Sequence, residues 1–446
     1  MDLNQELIFP YPYLIDAMDK HYRIEFPPSN TEGKNIKEFY KKYQHSHGMS
    51  LFRKKRLSIL ITTFWDYPHT GGLSNYITEL SDGLRKQGHY VDVISPKQFP
   101  AKKVAAFRKT IVPELKEFFT KRYGVVNSKI LQNSRLLYIY EEMLKTVDLE
   151  KYDIFHAQDL FTANILGRFN QKYGKPLFFT PHGMFTFNRL KFNIFDKGSV
   201  EEAYYTQMEK QAIKFASHLI ILNNSFRRPL MTLGTKQEHM TTVITGINYQ
   251  EEYTKTPSDQ SKLTITCIAR LGPRKGQKYL LDALAQIREY TNNVEVLIVG
   301  DGEMRDSLEN QAASLNLSMV KFLGTRDDVP YILSKTDIFV LPTINDSLPI
   351  SIIEAMHSGA AIITTDCGGI PEIVRHNQTG IIIKPQDTET LARALKFFIV
   401  NKGARDWMAA NAKTFANKHL TRDRMVLNIE DLYTKALNSF KSGVVL

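Results

Sequence analysis

Three times between residues 263 and 356, a short run of apolar, β-branched residues stops in a turn rich in glycine and charge, and a helical pattern follows. The turns read Cys267-Ile-Ala-Arg270-Leu-Gly-Pro-Arg-Lys275-Gly276, then Val299-Gly300-Asp-Gly302-Glu303, then Asp346-Ser-Leu-Pro349-Ile350-Ser-Ile-Ile-Glu354-Ala-Met. Apolar runs of this kind suit strands buried on both faces, and their alternation with helices suits a parallel sheet. In a parallel α/β domain all such turns lie on one rim, at the C-terminal ends of the strands, where ligands bind. An arginine, a lysine, glycines and two carboxylates eight positions apart suit a sugar joined to a diphosphate.

The same unit opens the first half. Leu57–Thr63 is a buried-strand run, Gly71-Gly72 follows it, a helical stretch extends to Lys86, and Gly88-His89 precedes a strand at 91–95. This is a β–loop–α–β unit. Further strands are expected at 153–157, 177–181, 218–222 and 240–245. A second series is expected from Lys262 on, with strands at 263–269, 294–299, 319–323, 337–341 and 361–365. Gly246, Pro257, Ser258 and Asp259 interrupt the pattern, which places a hinge at 246–261. Residues 1–50 are polar and aromatic, and Pro10, Pro12, Pro27 and Pro28 break any long periodicity. They are expected to form a peripheral extension packed on a first domain, 51–248. A second domain, 249–420, and a C-terminal helix within 421–446 complete the organisation.

At 446 residues the chain is too long for one core. No apolar run approaches the roughly 18 residues of a spanning helix. The acidic, polar start Met-Asp-Leu-Asn-Gln-Glu argues against a signal peptide and for a cytoplasmic protein. Cys267 and Cys367 fit a reduced, buried pair. No Asp-x-Asp and no metal-ligand spacing stands out.

The charge is lopsided. Residues 1–250 hold 35 Lys+Arg against 24 Asp+Glu, whereas 251–446 hold 23 of each. Residues 97–145 alone contribute +7, from 11 basic and 4 acidic side chains. Such concentration suggests that the first half meets something anionic. Residues 101–122 mix basic with apolar and aromatic residues, and Pro113 is expected to split them into two short helices. The charge also fits a nucleic-acid partner, but no recognition motif appears and the acid-rich rim of the second half argues against one.

The turns carry the chemistry. Arg270 and Lys275 suit a pair of cations that clamp a diphosphate and stabilise a departing nucleotide. Gly300 and Gly302 allow close backbone approach, and Glu303 opens a helix with a favourable charge. Pro349 suits the first turn of a helix, so the amides near Ile350 form an anion site, with Glu354 about one turn further on. Gly368 and Gly369 sit in a further turn, Asp366-Cys-Gly-Gly-Ile-Pro-Glu372. In the first half, Gly71-Gly72 and His182, in Thr180-Pro181-His182-Gly183, follow strands; His156 is a second-rank candidate.

Over most of residues 57–420 the order and spacing of these motifs resemble family 4 of the retaining GT-B glycosyltransferases. The resemblance implies an α/β chain of two Rossmann-like domains facing a central cleft, with the C-terminal helix crossing back to the first. It implies retaining, metal-independent transfer, without a cofactor, of a hexose-type sugar. The donor would be a nucleotide-diphospho-sugar and the acceptor a hydroxyl of a cell-envelope glycan, glycolipid or similar molecule. Arg270, Lys275, Asp346 and His182 would then be catalytic. Gly71, Gly72, Gly300, Gly302, Glu303, Pro349, Ile350, Glu354, Gly368 and Gly369 would bind the donor. Two departures stand out. Ala269 replaces a usual glycine, and Asp346 replaces the first glutamate of Glu-x7-Glu, which withdraws its carboxylate by ~1.5 Å. That shorter acid keeps a degenerate binding protein among the alternatives. A nucleotide-sugar epimerase or a phosphorylase of the same fold would need acid/base groups or a pyridoxal-bearing lysine, and neither pattern is visible. Family members with lipid-linked acceptors use a basic amphipathic surface of the first domain, which implies peripheral contact of residues 97–145 with an anionic membrane.

Overall fold

A computed structural model describes residues 9–24, 56–69, 71–249 and 262–442. The chain divides into two compact units. One comprises residues up to Ile221 with Phe226–Thr242 and Asn428 onward, and the other Leu222–Ser225 with Val243–Leu427.

The first unit holds strands β1 Ser58–Thr62, β2 Tyr90–Ile94, β3 Ile154–Ala157, β4 Leu177–Phe179, β5 His218–Ile221 and β6 Met240–Thr242. All pair in parallel, in the order β2-β1-β3-β4-β5-β6. Its helices are α1 Pro12–Tyr22, α2 Gly72–Lys86, α3 Ala101–Tyr123, α4 Ser128–Leu144, α5 Leu160–Tyr173, α6 Phe185–Lys191, α7 Val200–Phe215 and α8 Arg227–Thr232. Leu60, Phe155 and Leu177 stand side by side in register and are fully buried in an apolar cluster of this unit. Side chains that cap orphan amides fix where helices begin: Asp159 accepts from Thr162 N ahead of α5, and Ser199 accepts from Glu202 N ahead of α7.

One expectation gains detail here and one changes. The prolines near the N-terminus do not prevent a helix, because Pro12 takes the first helical position, where its missing N–H costs nothing. Helix α1 buries Leu14, Ile15 and Met18, and Asp19 accepts from Arg122 at 2.6 and 2.9 Å. The rest of the expected 1–50 extension lies outside the described residues. Pro113 does not split residues 101–123 either; they form one helix. An interior proline costs about 3 kcal/mol. Ile111, Leu115 and Phe119 sit four residues apart and are buried on one stripe. Each contributes roughly 1.5–3 kcal/mol, so their burial outweighs the break.

The second unit repeats the plan with β7 Leu263–Ile268, β8 Val294–Val299, β9 Val320–Gly324, β10 Ile338–Leu341, β11 Ala361–Thr365 and β12 Ile381–Ile383. The parallel order is β12-β11-β10-β7-β8-β9. The direction of winding reverses between β7 and β10, so the turns after these two strands flank the switch point where α/β sheets bind ligands. Its helices are α9 Gln277–Gln286, α10 Arg305–Ser314, α11 Val329–Ser334, α12 Ile350–Ser358, α13 Ile370–Ile373, α14 Thr388–Val400 and α15 Lys402–His419. β12 was not expected: three isoleucines between Gly380 and Lys384 are too short a run to announce a strand. A last helix, α16 Arg422–Ser442, starts in the second unit and from Asn428 belongs to the first. There Glu430 accepts from His89 Nε2 at 3.1 Å, and the Tyr433 hydroxyl meets His156 Nδ1 at 2.6 Å.

Candidate active site

In the second unit, the turn after β7 carries Arg270 and Lys275 through a short 3-10 turn, Pro273–Lys275, and reverses at Gly276 (φ +76°). A Cβ on Gly276 would lie 2.0 Å from the Pro342 carbonyl oxygen, so this turn packs directly against the one that follows β10. Two more bonds join them: Ile344 N and the Thr343 hydroxyl both donate to Arg274 O, at 2.7 and 2.9 Å. Lys275 Nζ donates to the Asp346 carboxylate, and both side chains are mostly buried. The shorter acid at 346 thus reaches the cation of the neighbouring turn. Arg270 pairs with Glu303 at 3.0 Å, but this pair lies in solvent, with 72% and 58% of the side chains exposed.

The glycines of this rim seat one turn on another. Cβ atoms on Gly300 (φ +125°) and Gly302 would lie 2.1 Å from Ala269 O and 2.3 Å from Leu271 O. Their missing side chains let the β8 turn lie on the β7 turn that holds Arg270. Gly368 (φ +53°) does the same for the β10 turn, where a Cβ would lie 1.8 Å from Asp346 O, and Gly369 N donates to Ser347 O at 2.7 Å. Glu372 accepts from Asn224 N and Nδ2 at 2.6 and 2.8 Å.

Pro349 stands one position earlier than expected. Its ψ of 118° is extended, which makes it the N-cap of α12. Ile352 N is taken by Pro349 O at 3.2 Å, and the amides of Ile350 and Ser351 belong to the first turn, where N–H groups point along the helix axis beyond its N-terminus. Glu354 is half-buried on the next turn, between the buried Ile353 and Ala355. Cys267 is buried on β7 and its thiol is pushed up to about 12 by that burial; Cys367 is half-buried, and both are free. Among the described residues, no group of three or more His, Cys, Asp and Glu side chains is placed to hold a metal ion.

In the first unit the winding reverses between β1 and β3. The turn after β1 ends at Gly71 (φ +147°), the N-cap of α2, and a Cβ on Gly72 would meet nothing within 4 Å. His182, after β4, is half-buried; its Nε2 lies 3.0 Å from Gln158 Oε1, and the Tyr76 ring packs edge-on at 4.8 Å. Burial pushes its pKa down to about 3, so it is neutral. His156 proves structural: it is fully buried, with one ring nitrogen on Tyr433 and the other on Thr180 at 2.7 Å. Burial, and then the nearby His182, push its pKa to about 3 as well.

Comparison with known proteins now decides the family. Residues 248–415 match the profile described as glycosyl transferases group 1, and residues 70–251 match that of glycosyltransferase family 4. An uncharacterized glycosyltransferase of Methanocaldococcus jannaschii is 25% identical over 404 residues, covering 84% of this chain and 97% of its own. The chain belongs to the group 1 glycosyltransferases of GT-B fold.

Another relative of this glycosyltransferase is the Escherichia coli UDP-Gal:alpha-D-GlcNAc-diphosphoundecaprenol alpha-1,3-galactosyltransferase. It is 27% identical over 328 residues, 69% of this chain and 81% of its own. Among solved structures, Anabaena HepE in complex with UDP and glucose superposes with a TM-score of 0.62 at 19% identity, covering 85% of this chain and all of that one. In this glycosyltransferase the second unit gathers Arg270, Lys275, Glu303, Asp346 and the start of α12 on facing turns of one rim. Gly71, Gly72 and His182 stand on the corresponding rim of the first unit. Gln158 and Tyr76, which fix His182, were not singled out from the sequence. Gln158 stands directly after a strand beside a switch point, and that position was the available signal.

Proposed function

We propose that this glycosyltransferase moves a hexose-type sugar from a nucleotide-diphospho-sugar to a hydroxyl of a cell-envelope glycan or glycolipid, with retention and without a metal ion. The observation that carries the reading is the joined pair of turns at the switch point of the second sheet, where the Lys275–Asp346 pair ties the turn that carries Arg270 to the turn that leads into α12. Cleavage of the bond between the anomeric carbon and the β-phosphate oxygen leaves negative charge on a nucleoside diphosphate. Lys275 and Arg270 stabilise that charge with charge-assisted hydrogen bonds, and the helix start adds its dipole. Asp346 holds Lys275 in place and presents a carboxylate to donor-sugar hydroxyls. Glu354 accepts from the ribose hydroxyls, and His182 contacts a sugar from the first unit. The acceptor hydroxyl attacks the face that the phosphate leaves, and the departing phosphate takes its proton. The names of the E. coli relative and of the Anabaena complex, with UDP-linked galactose in one and UDP with glucose in the other, support a donor of this class.

The first unit adds a cytoplasmic, peripheral membrane contact to the proposal. No described helix is long and apolar enough to cross a membrane. On α3 the apolar stripe faces the protein's own core while Lys102, Lys103, Arg108 and Lys109 are exposed. Attraction to anionic lipid would therefore be electrostatic, and it would fall with salt. Flotation with phosphatidylglycerol vesicles at low salt, lost at high salt, is the expected result; no flotation at low salt removes the contact. The transfer itself is tested by measuring nucleoside diphosphate release from UDP-, GDP-, ADP- and dTDP-sugars in the presence of a chelator.

A further inference from the structure

Gln158 is fully buried at the end of β3, one residue after Ala157, and its own amide N–H donates to Thr62 O across the switch point at 2.9 Å. Its side-chain oxygen lies 3.0 Å from His182 Nε2, and its side-chain nitrogen is buried with no hydrogen-bond partner. An unpaired buried amide costs about 1–3 kcal/mol, and an apolar side chain of similar size would avoid that cost. What the polar side chain provides is the contact with His182. An amide oxygen only accepts, so the imidazole must carry its proton on Nε2 to donate to it. That leaves Nδ1 as a lone pair. The edge of the Tyr76 ring, 4.8 Å away on α2, holds the imidazole from another side.

We propose that Gln158 is a positioning residue: it locks the neutral Nε2–H tautomer of His182, so that Nδ1 accepts a hydrogen bond from a sugar hydroxyl during transfer. A neutral acceptor selects hydroxyls and does not attract phosphate, so the pair suits His182 to a sugar hydroxyl. The burial that depresses the His182 pKa to about 3 acts in the same direction. The titratable groups around it do not disturb this state. Burial raises the Tyr76 phenol, and His156, pushed down to about 3, is neutral through the working range. The inference rests on His182 facing a sugar in the reaction proposed above.

The test uses the full chain. In the ligand-free protein, ¹⁵N NMR of the His182 ring should show the Nε2–H tautomer; a ring protonated on Nδ1 overturns the inference. Gln158→Leu should lower kcat about 10- to 100-fold with the donor KM within about 3-fold, the pattern of a misplaced group. Gln158→Glu keeps the shape and the accepting oxygen, but its charge favours a proton on both ring nitrogens, which abolishes the lone pair. Its activity relative to wild type should be low at pH 6 and recover as pH rises to 9. The readout is nucleoside diphosphate release from whichever of UDP-glucose, UDP-galactose and GDP-mannose the wild type turns over fastest. A Gln158→Glu enzyme equal to wild type at pH 6, or equally impaired at every pH, overturns the inference alone. Equal turnover by wild type and His182→Ala overturns the reading on which it rests as well.

Discussion

The two rims answer different chemical demands with different electrostatics. On the second unit the candidate ligand groups are ions with a counter-ion alongside, Lys275 with Asp346 and Arg270 with Glu303. On the first they are neutral, and His182 is fixed by an amide and an aromatic edge. A leaving diphosphate gains charge in the transition state, so cations already held beside it lower the barrier. A hydroxyl changes charge little before it attacks, so a neutral, oriented acceptor suits it better than an ion. The pairing also explains how Lys275 tolerates partial burial: Asp346 offsets its desolvation until a phosphate replaces it.

The largest effect should come from removing the more buried of the two rim cations. Lys275→Ala should lower kcat/KM by roughly 30- to 1000-fold, the ~2–4 kcal/mol range for a lost charged donor, with an unchanged circular dichroism spectrum. Arg270→Ala should cost less, because its guanidinium is solvated and its interactions are screened. A larger loss at Arg270 than at Lys275 would reverse the ranking of the two turns.

Glycines sharpen the comparison next. Gly368→Ala places a Cβ against Asp346 O at a left-handed φ and should cost about 1–3 kcal/mol, seen as a lower melting temperature together with weaker turnover. Gly72→Ala on the other rim meets open space and should leave the melting temperature unchanged or slightly raised. Lost turnover in that stable variant would show that the open space admits a ligand; full turnover would remove Gly72 from the donor site.

Acid should separate the units by a smaller margin. His156 and His182 have folded pKa values near 3, below the unfolded value of about 6.5, so the unfolded chain binds more protons between those limits. Stability therefore rises with pH across that window and falls as pH drops through it. Between pH 7 and 6 the two together should cost the first unit about 1 kcal/mol. Hydrogen exchange should show that loss at β3 and β4 and not at β10 and β11. Equal changes in both sheets would remove the neutral histidines from the account.

The strands of both sheets were legible because a parallel strand buried on both faces must be apolar along its length, as Ile338–Leu341 and Ala361–Thr365 are. The charged motifs were legible because each follows such a run. Three isoleucines at β12 were too few to read, and Pro113 was overruled by a buried stripe whose partners lie far off in sequence. The same holds for function. Lys275 and Asp346 are 71 residues apart and Gln158 and His182 are 24 apart, so no local pattern could announce either pair. The glycines were legible as necessary, but their task of seating one turn on another appears only when the turns are side by side.

The central claim is that protein cations at the second rim take the charge of a departing nucleoside diphosphate. Its most direct measurement is the release of nucleoside diphosphate from UDP-, GDP-, ADP- and dTDP-sugars in EDTA, by wild type and by Lys275→Ala. The account predicts that wild type turns over at least one donor in EDTA and that the variant loses most of that rate. Complete loss by wild type in EDTA, restored by Mg²⁺ or Mn²⁺, or a Lys275→Ala enzyme as fast as wild type, would contradict it.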